Sequence, residues 1–513
     1  MSTRFVSVNR NQALLLPPDL RDWVQEDDLV HFVIQAVEGL PGHLFRVNAR
    51  GSGSAQYPPS MMLALLIYCY ANGIFSSRRI ERATYRDVSV RYLTANTHPD
   101  HDTIAAFRRQ NFDVVAACFV RVLELARETG LLRVGTVSVD GTKLRANASI
   151  NRNVRYDRAG QLIEQLDLEV KELLEKAERA DTEDAHDGQQ LPEELSRREK
   201  LKAKLEDARR RIEARARAKA EAEQADYEDK LRWREHAPTA KHGREPNAPD
   251  PTPEPKAQQN LTDPDSRLMR KNRRSGFEQS YNAQAAVDAD GSQLILSARV
   301  TTETQDRNEL KPTVDAIPHA LGSPTHVLAD NGYLNRQPAQ AMEAHGMDLY
   351  IACGAQSHRR THDFRPEPAP REPKQQDRCE WKIAMRAKLK TDDGRKRYAV
   401  RKHTVEPVFG IIKDALGFRR FTLRGLANVS GEWCLMALAY NVKRLHILWR
   451  AKPTPANRPK PSSTTGPMNA CRSFMADRSF MAHMMTQIRR LWVKARAVVE
   501  IENKIEQLSP TGC

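Results

Sequence analysis

The sequence lacks the cysteine patterns of a disulfide-stabilised secreted protein and of a zinc site. Its seven cysteines are odd in number, and no two of them stand in CxxC spacing. It also lacks an apolar run long enough to span a bilayer, since the longest, "MMLALLIYCYANGIF" from Met61, is too short. The first residues, "MSTRFVSVNRNQ", contain no apolar segment of the kind that a secretory signal carries. We therefore expect a cytoplasmic protein without a membrane partner, in which the apolar run forms a buried helix.

An acidic surplus is absent as well. The 513 residues include 81 Lys and Arg against 66 Asp and Glu, which gives a net charge of +15 and a pI of about 9.5. This basic balance favours a polyanionic partner such as nucleic acid, although a merely solvated basic surface gives the same numbers. The length allows two or three domains, each with its own core.

The chain divides by pattern into four regions. Residues 1–133 are typical of an all-α domain. Residues 134–150 and 276–448 contain strand patterns and are predicted to form one discontinuous domain. Residues 151–275 are rich in Glu, Lys, Arg, Leu and Ala and then in Pro, which predicts a charged, coiled-coil-like helical hairpin followed by a linker. Residues 449–513 begin with a linker composition and end in an amphipathic stretch, and no role follows from them.

Strand patterns recur through the discontinuous domain. β-Branched and apolar residues alternate in "TVSVDGTKL" from Thr136, and similar runs follow in "YNAQAAVDAD", "SQLILSARVT", "THVLADNGYL" and "DLYIAC". Helical stretches separate the last three runs. Three strands followed by helix, strand, helix and strand predict an α/β fold with a mixed sheet flanked by helices.

A helix with two arginines stands out in the N-terminal region. The stretch "PDHDTIAAFRRQN" predicts a helix from Thr103 to Asn111, with Asp102 as its N-cap and Ile104 facing inward. Arg108 and Arg109 are then expected to be exposed, where they could contact DNA in the manner of a helix-turn-helix. Arginine pairs on helices are also commonly only solvated, and both interpretations stay open here.

Three carboxylates occupy places where chemistry could use them. Asp140 lies on the first strand beside Gly141, which would let a large ligand approach the backbone. Asp330 follows a buried strand, and Glu406 begins a helix. Taken singly, Asp330 suits a turn and Glu406 suits the positive end of a helix dipole. Taken together, three converging carboxylates are stable chiefly around divalent cations, and oxygen ligands favour Mg²⁺ or Mn²⁺.

The stretch "VEPVFGIIK" carries the third carboxylate and a lysine. Lys413 follows Glu406 by seven residues, close to two helical turns, so both are expected on one face of a helix capped by Thr404. In this arrangement the acid would hold metal and the lysine would hold a DNA phosphate. A second, apolar face should be buried and consists of Val405, Val408 and Ile412.

Several blocks of the chain resemble bacterial insertion-sequence DDE transposases. The stretch "YPPSMMLALLIYCYANGIFSSRRIERATYRDVSVRYL" is similar to their helical N-terminal domain. The stretches "VSVDGTKLRANAS", "NLTDPDSRLM", "GFEQSYNAQAAVD", "VLADNGYL" and "VEPVFGIIKDALGFRRFTLRGL" are similar to successive blocks of their catalytic domain.

This resemblance implies a ribonuclease-H-like catalytic domain over residues 134–150 and 276–448. Asp140, Asp330 and Glu406 would be its catalytic and metal-binding triad, with two Mg²⁺ or Mn²⁺ ions as cofactors. The implied activity is strand cleavage at element ends and strand transfer into target DNA. The implied setting is a homodimer or higher oligomer on double-stranded DNA, bound to the nucleoid in the bacterial cytoplasm.

One spacing departs from the family's pattern. Relatives set Tyr, Arg, Glu and Lys as Y-x2-R-x3-E-x6-K, whereas Tyr398, Arg401, Glu406 and Lys413 leave one extra residue between Arg and Glu. Lys402 occupies the usual arginine place relative to the glutamate. We predict that Arg401, Lys402 and Lys413 contact DNA.

Two further functions and some further acids were weighed. A metal-dependent nuclease without strand transfer would need the same triad, and an inactive DNA-binding relative could act as a repressor or architectural protein. A coiled-coil scaffold would explain only the hairpin. We predict that Asp263 and Asp265 in "TDPDS" close a turn and that Asp306 is a helix N-cap.

Overall fold

The computed structural model describes residues 19–451, apart from residues 39, 48–55, 183–190, 237–244, 271–274 and 355–378. Nearly all of the tail predicted at 449–513, and most of the polar stretch "GAQSHRRTHDFRPEPAPREPKQQDR" that begins at Gly354, therefore lie outside the described residues. Residues 245–250, in the predicted Pro-rich linker, form no regular secondary structure.

The N-terminal region is all-α, as predicted. Its helices are α1 (Leu29–Glu38), α2 (Pro59–Ala71), α3 (Ser77–Arg86), α4 (Val88–Leu93), α5 (His101–Gln110) and α6 (Phe112–Glu128). The apolar run forms α2, whose residues from Met62 to Ala71 are all buried. Across the part of the chain that the structure covers, no helix has both the length and the apolar character that a membrane crossing requires.

The cap of α5 differs from the prediction. The carboxylate of Asp100, not that of Asp102, accepts hydrogen bonds from the backbone N–H groups of Asp102 and Thr103, both at 2.9 Å. The helix therefore begins at His101, two residues before the predicted start.

The sheet has mixed directions. The strands are β1 (Thr136–Arg145), β2 (Asn153–Arg155), β3 (Gln258–Asn260), β4 (Arg267–Met269), β5 (Glu278–Asp288), β6 (Ile295–Thr301), β7 (His326–Ala329) and β8 (Asp348–Ile351). Strand β1 lies at the centre, antiparallel to β5 and parallel to β7, and β8 extends the parallel side. Strand β5 pairs on its other edge with β6 and β4, both antiparallel. This is the mixed sheet predicted from the strand patterns, and with its flanking helices it is consistent with a ribonuclease-H-like fold.

The remaining helices flank the sheet or carry the site. They are α9 (Leu310–Asp315), α10 (Arg336–Ala344), α11 (Glu380–Lys390), α12 (Asp392–Ala399), α13 (Val405–Gly410) and α14 (Leu426–Arg450). Helix α14 packs against β6 and also against α2 and α6. The N-terminal helices and the sheet consequently share one hydrophobic core.

The insertion between β1 and β5 is an antiparallel helical arm, as predicted. It consists of α7 (Tyr156–Thr182) and α8 (Leu191–His236). Leu166 and Leu205 are buried between the two helices, and Arg198 forms an ion pair with Glu169 at 2.9 Å. Strands β2 and β3 pair with each other at the base of the arm, and this small sheet was not predicted.

Candidate active site

Asp140 and Asp330 are neighbours because of the strand register. The parallel pairing of β1 with β7 matches Val137 with Val327 and Ser138 with Leu328, an offset of 190 residues. Asp330 follows Asp140 by the same offset, since 330 − 140 = 190. Equivalent positions on adjacent strands lie about 5 Å apart with side chains on the same face. The sheet thus brings these two carboxylates together.

Glu406 reaches the same point from a helix. A short 3₁₀ helix, Val400–His403, leads directly into α13, which packs against β1. The predicted apolar face is buried, with Val405 and Val408 both fully inaccessible, and the Glu406 side chain remains 52% exposed. Thr404 occupies the N-cap position but makes no cap bond, because its hydroxyl donates to the carbonyl of Val400 at 2.8 Å.

The guanidinium of Arg401 lies between the three carboxylates. Its Nη2 is 3.2 Å from Asp140 Oδ2 and 3.7 Å from Asp330 Oδ2, and its Nη1 donates to Glu406 Oε1 at 3.0 Å. The Arg401 side chain is only 10% exposed. Arg401 was predicted to contact DNA, but in the structure its side chain points inward and forms ion pairs with the three carboxylates. The extra residue before Glu406 therefore does not move the arginine away from the site.

The electrostatics of the cluster are those of crowded acids with one cation. The pKa of Asp140 is raised to about 7, chiefly by burial and also by the neighbouring carboxylates of Asp330 and Asp306, while Arg401 opposes the rise. The second oxygen of Asp140 accepts a hydrogen bond from the N–H of Gly141 at 2.8 Å. A single guanidinium therefore does not fully compensate the cluster.

Asp306 is a fourth carboxylate that sequence reasoning missed. Asp306 was predicted to be a helix N-cap, but Glu309 occupies that position at the start of α9. The side chain of Asp306 instead accepts hydrogen bonds from Asn282 and Gln284, both at 2.7 Å. A Cβ at Gly141 would meet Gln284 Nε2 at 2.3 Å and Asp306 Oδ1 at 2.7 Å. Gly141 therefore makes room for the protein's own side chains, not for a large ligand. Two amides, Asn282 and Gln284, alternate with alanines in the middle of strand β5, and they were the signal that could have revealed this contact.

The donor set suits a hard divalent cation in chemistry. All three predicted ligands are carboxylates, and one oxygen of each faces the same positive group. Among the described residues, however, no three His, Cys, Asp or Glu side chains are arranged as a metal site. Arg401 holds the position between the acids, so binding of an ion there would require the guanidinium and carboxylates to rearrange.

The predicted lysines lie on two sides of the cluster. The Nζ of Lys413 donates to the hydroxyl of Thr142, which points to the same face of β1 as Asp140. Lys413 belongs to a π-helical turn, Ile411–Ala415, which follows α13 and shifts the helical register predicted for "VEPVFGIIK". Lys402 is exposed and lines a cavity of about 430 Å³. The other cationic groups lining that cavity are Arg386, Lys390 and Arg395.

The prediction that Arg108 is exposed is wrong. Arg108 is 4% exposed, and its Nη1 donates to the hydroxyl of Tyr70 at 2.7 Å and to the carbonyl of Phe75 at 3.0 Å. The hydroxyl of Tyr70 in turn donates to the buried Glu432 of α14 at 3.1 Å. Arg108 thus links the N-terminal helices to the helix behind the sheet. Arg109 is exposed, as predicted.

Asp263 and Asp265 anchor the start of α14. Asp263 accepts from the hydroxyl of Tyr281 at 2.8 Å and from the N–H of Gly425 at 3.1 Å, and Asp265 accepts from the N–H of Leu426 at 2.9 Å. The predicted turn does exist, but the side chain of Asn260 closes it. Neither aspartate contacts the carboxylate cluster through any hydrogen bond or ion pair of the described residues.

Comparison with protein families gives two matches. Residues 249–442 match a family described as a transposase DDE domain, and residues 18–110 match one described as a transposase domain. The first match contains Asp330 and Glu406 and begins after Asp140. Comparison with curated proteins and with solved structures gives no match. Most of the N-terminal helices and most of the sheet strands are thus matched by two transposase families, which is consistent with an insertion-sequence DDE transposase.

Proposed function

We propose that this transposase cleaves DNA at the ends of its insertion sequence and joins them to target DNA, with Asp140, Asp330 and Glu406 as catalytic residues. The observation that carries the proposal is the meeting of three carboxylates, from three distant parts of the chain, on one guanidinium. Like charges held together at the end of a parallel strand pair destabilise the fold by repulsion. Such an arrangement is typical of functional sites and is not needed to form the sheet.

In this proposal the three carboxylates would hold Mg²⁺ or Mn²⁺, as two ions, when the DNA is bound. Such ions would supply a lowered pKa for the attacking hydroxyl and a stabilised charge on the leaving oxygen during displacement at phosphorus. Arg401 keeps the acids together before DNA arrives, since without a cation they would repel one another. The exposed sides of Asp330 and Glu406, 42% and 52% accessible, leave the cluster open toward a substrate.

The two steps balance as successive displacements. In the first, a water oxygen attacks the phosphorus at the element end, and the 3′-oxygen leaves with the bonding pair and takes up a proton. In the second, that 3′-hydroxyl attacks a target phosphodiester and the target's own 3′-oxygen leaves. Lys413, on the same face as Asp140, would hold the backbone next to the reacting phosphate.

The N-terminal helices are proposed to recognise the element ends. The match of residues 18–110 to a transposase domain supports a DNA-related role. Of the two arginines of α5 that were predicted to contact DNA, only Arg109 is exposed and is proposed to do so, since Arg108 is buried. The active form would be a homodimer or higher oligomer on DNA in the bacterial cytoplasm.

The test is a plasmid that carries both ends of the element. With Mg²⁺ the purified protein should nick or release the element and produce joined products, and Glu406→Gln should bind DNA without cutting it. Binding without cleavage in either Mg²⁺ or Mn²⁺ would overturn the catalytic proposal. Cleavage without joined products would favour a nuclease, and undiminished cleavage by Glu406→Gln would remove this residue from the mechanism.

A further inference from the structure

A short segment after the π-helical turn extends the edge of the catalytic strand. The N–H of Arg145, the last residue of β1, donates to the carbonyl of Arg419 at 3.3 Å, and the N–H of Phe421 donates to the carbonyl of Arg145 at 2.9 Å. These bonds form a parallel bridge between Arg145 and Arg420. The segment is therefore fixed to the same strand that carries Asp140.

Two exposed arginines of this segment are held by one asparagine. The Nη2 of Arg420 donates to the side-chain oxygen of Asn147 at 2.8 Å, and the Nε of Arg424 donates to the backbone carbonyl of Asn147 at 2.9 Å. The side-chain amide of Asn147 donates to the carbonyl of Thr422 at 2.8 Å, which closes the arrangement. Both guanidinium groups are thus oriented by neutral oxygens and keep further N–H donors.

Nearby exposed arginines are treated differently. Arg419 is paired with Asp414, and Arg145 is paired with Glu278. For Arg420 and Arg424, by contrast, no carboxylate lies within ion-pair distance among the residues that the structure describes. Guanidinium groups that are ordered but not neutralised are suited to bind an external anion. Their side-chain entropy is already lost on folding, and their positive charge is not paired with a carboxylate of the protein.

The position of these arginines relative to the carboxylate cluster indicates which anion they would bind. Arg145 lies five residues from Asp140 on an extended strand, a distance of about 17 Å. Between them lies a depression of about 150 Å³, lined by Lys143 and Lys413 and also by Asp414 and Arg419, which are paired with each other. Lys413, whose Nζ reaches the Asp140 face of β1, and the arginines at the end of that strand are cations spaced along a path that suits a backbone of regularly spaced phosphates.

We propose that Arg420 and Arg424, here called the arginine ridge, bind the DNA backbone about five base pairs from the phosphate that is cut, at a rise of about 3.4 Å per pair. The proposal rests on the proposed function, since it uses the carboxylate cluster as the origin of the path. It adds a binding surface outside that cluster, preorganised by Asn147.

The salt dependence of DNA binding tests the ridge. Full-length protein is titrated with a random-sequence duplex, without divalent cations, from about 50 to about 200 mM salt. Loss of each phosphate contact should reduce the steepness of the fall of log K with log salt by about one unit. The double variant Arg420→Gln, Arg424→Gln should therefore reduce this steepness by about two units. The control Arg419→Gln removes the same charge from the same segment, but from a guanidinium already paired with Asp414, and its slope should stay near that of the wild type.

A second variant tests the reason for the ridge. Asn147→Asp keeps an oxygen acceptor at the same place but adds a carboxylate, which should pair with Arg420 and lower the slope by about one unit. Thermal unfolding of each variant verifies that it is folded. If the double variant and Arg419→Gln share the wild-type slope, the ridge proposal is wrong while the proposed function stands. If the wild type binds no duplex at all, the proposed function itself fails.

The expected position on DNA gives an independent readout. Neutral methylphosphonate replacements, placed one at a time along an element-end duplex, should weaken wild-type binding most strongly about five pairs from the cleavage point. The replacements about five pairs from the cleavage point should not weaken binding of the double variant Arg420→Gln, Arg424→Gln. Interference that persists unchanged in the double variant would assign those phosphates to other residues and overturn the proposal.

Discussion

Arg401 and Arg108 are both almost fully buried, with 8% and 4% of their surface exposed, but their surroundings differ. Arg401 faces three carboxylates, two of which are still open to solvent. Arg108 faces a tyrosine hydroxyl and a backbone carbonyl inside the helical region. A guanidinium in an open ring of acids can give way to other cations, whereas one sealed among neutral groups can only hold the fold together.

The largest expected effect removes an acid from the open ring. Glu406→Gln should lower strand cleavage by roughly 10³-fold, because in the proposed mechanism about 4 kcal/mol of transition-state stabilisation is lost with one carboxylate that would hold metal. Its stability should not fall, since the substitution relieves repulsion among the acids. Single-turnover cleavage and urea unfolding of the same preparation give both numbers. A large loss of stability would mean that Glu406 belongs to the fold, as Arg108 does.

The second prediction concerns replacement of the buried Arg108. Arg108→Met should lower the free energy of unfolding by about 3 kcal/mol, because it leaves buried polar partners uncompensated. Arg109→Met is the matched control, and as a change at an exposed neighbour it should stay within about 0.5 kcal/mol. Urea unfolding of both variants checks this. Equal stability of the two would show that the hydrogen bonds of Arg108 contribute nothing net.

Asp288 is a buried carboxylate that forms no ion pair with an arginine among the residues that the structure describes. Asp288 is fully inaccessible and is held by Ser292, whose hydroxyl donates to it at 2.6 Å. Burial raises the pKa of Asp288 to about 6. The folded protein thus holds this proton more tightly than the unfolded chain does, so the contribution of Asp288 to stability is greatest below about pH 4 and is lost as the pH rises to about 6.

Asp288→Asn should remove that loss. The difference in unfolding free energy between variant and wild type should shift by about 2 kcal/mol in favour of the variant between pH 4 and pH 6. Unfolding in urea across this range measures it, and comparison with wild type cancels the titration of all other groups. Parallel curves for the two proteins would mean that Asp288 titrates normally.

The smallest expected effect concerns Arg401 itself. Arg401→Met should lower stability by only about 1–2 kcal/mol in EDTA, because Asp140 can take up a proton and reduce the repulsion. Mg²⁺ should restore most of this loss, since divalent cations neutralise the same acids. Melting temperatures with and without Mg²⁺ show this, with Arg108→Met as the variant that Mg²⁺ should not rescue. Failure of Mg²⁺ to raise the melting temperature of Arg401→Met would argue against a cation site between the acids.

Local patterns predicted the strands, the helical arm and the apolar face of α13, because alternation and helical periodicity report which side of an element is buried. The same periodicity contained a warning about Arg108, which follows the inward-facing Ile104 by four residues and so shares its face. The inward turn of Arg401 depends on a short 3₁₀ helix before α13, and the contact of Asp306 depends on side chains from β5. Such contacts arise only when distant segments pack, and no local pattern encodes them.

The arm also has a consequence for the order in which the protein folds. Strand β1 is synthesised 133 residues before its partner β5, since 278 − 145 = 133, so it leaves the ribosome roughly ten seconds too early to pair. The arm needs only local contacts and can form in that interval, and the pairing of β2 with β3 then brings the two ends of the insertion together. The entropy of closing so long a loop is thereby lost in small steps. The arm can thus form before β5 is synthesised, whereas the carboxylate cluster cannot form until Glu406, 261 residues after the end of β1 at Arg145, has been added to the chain, since 406 − 145 = 261.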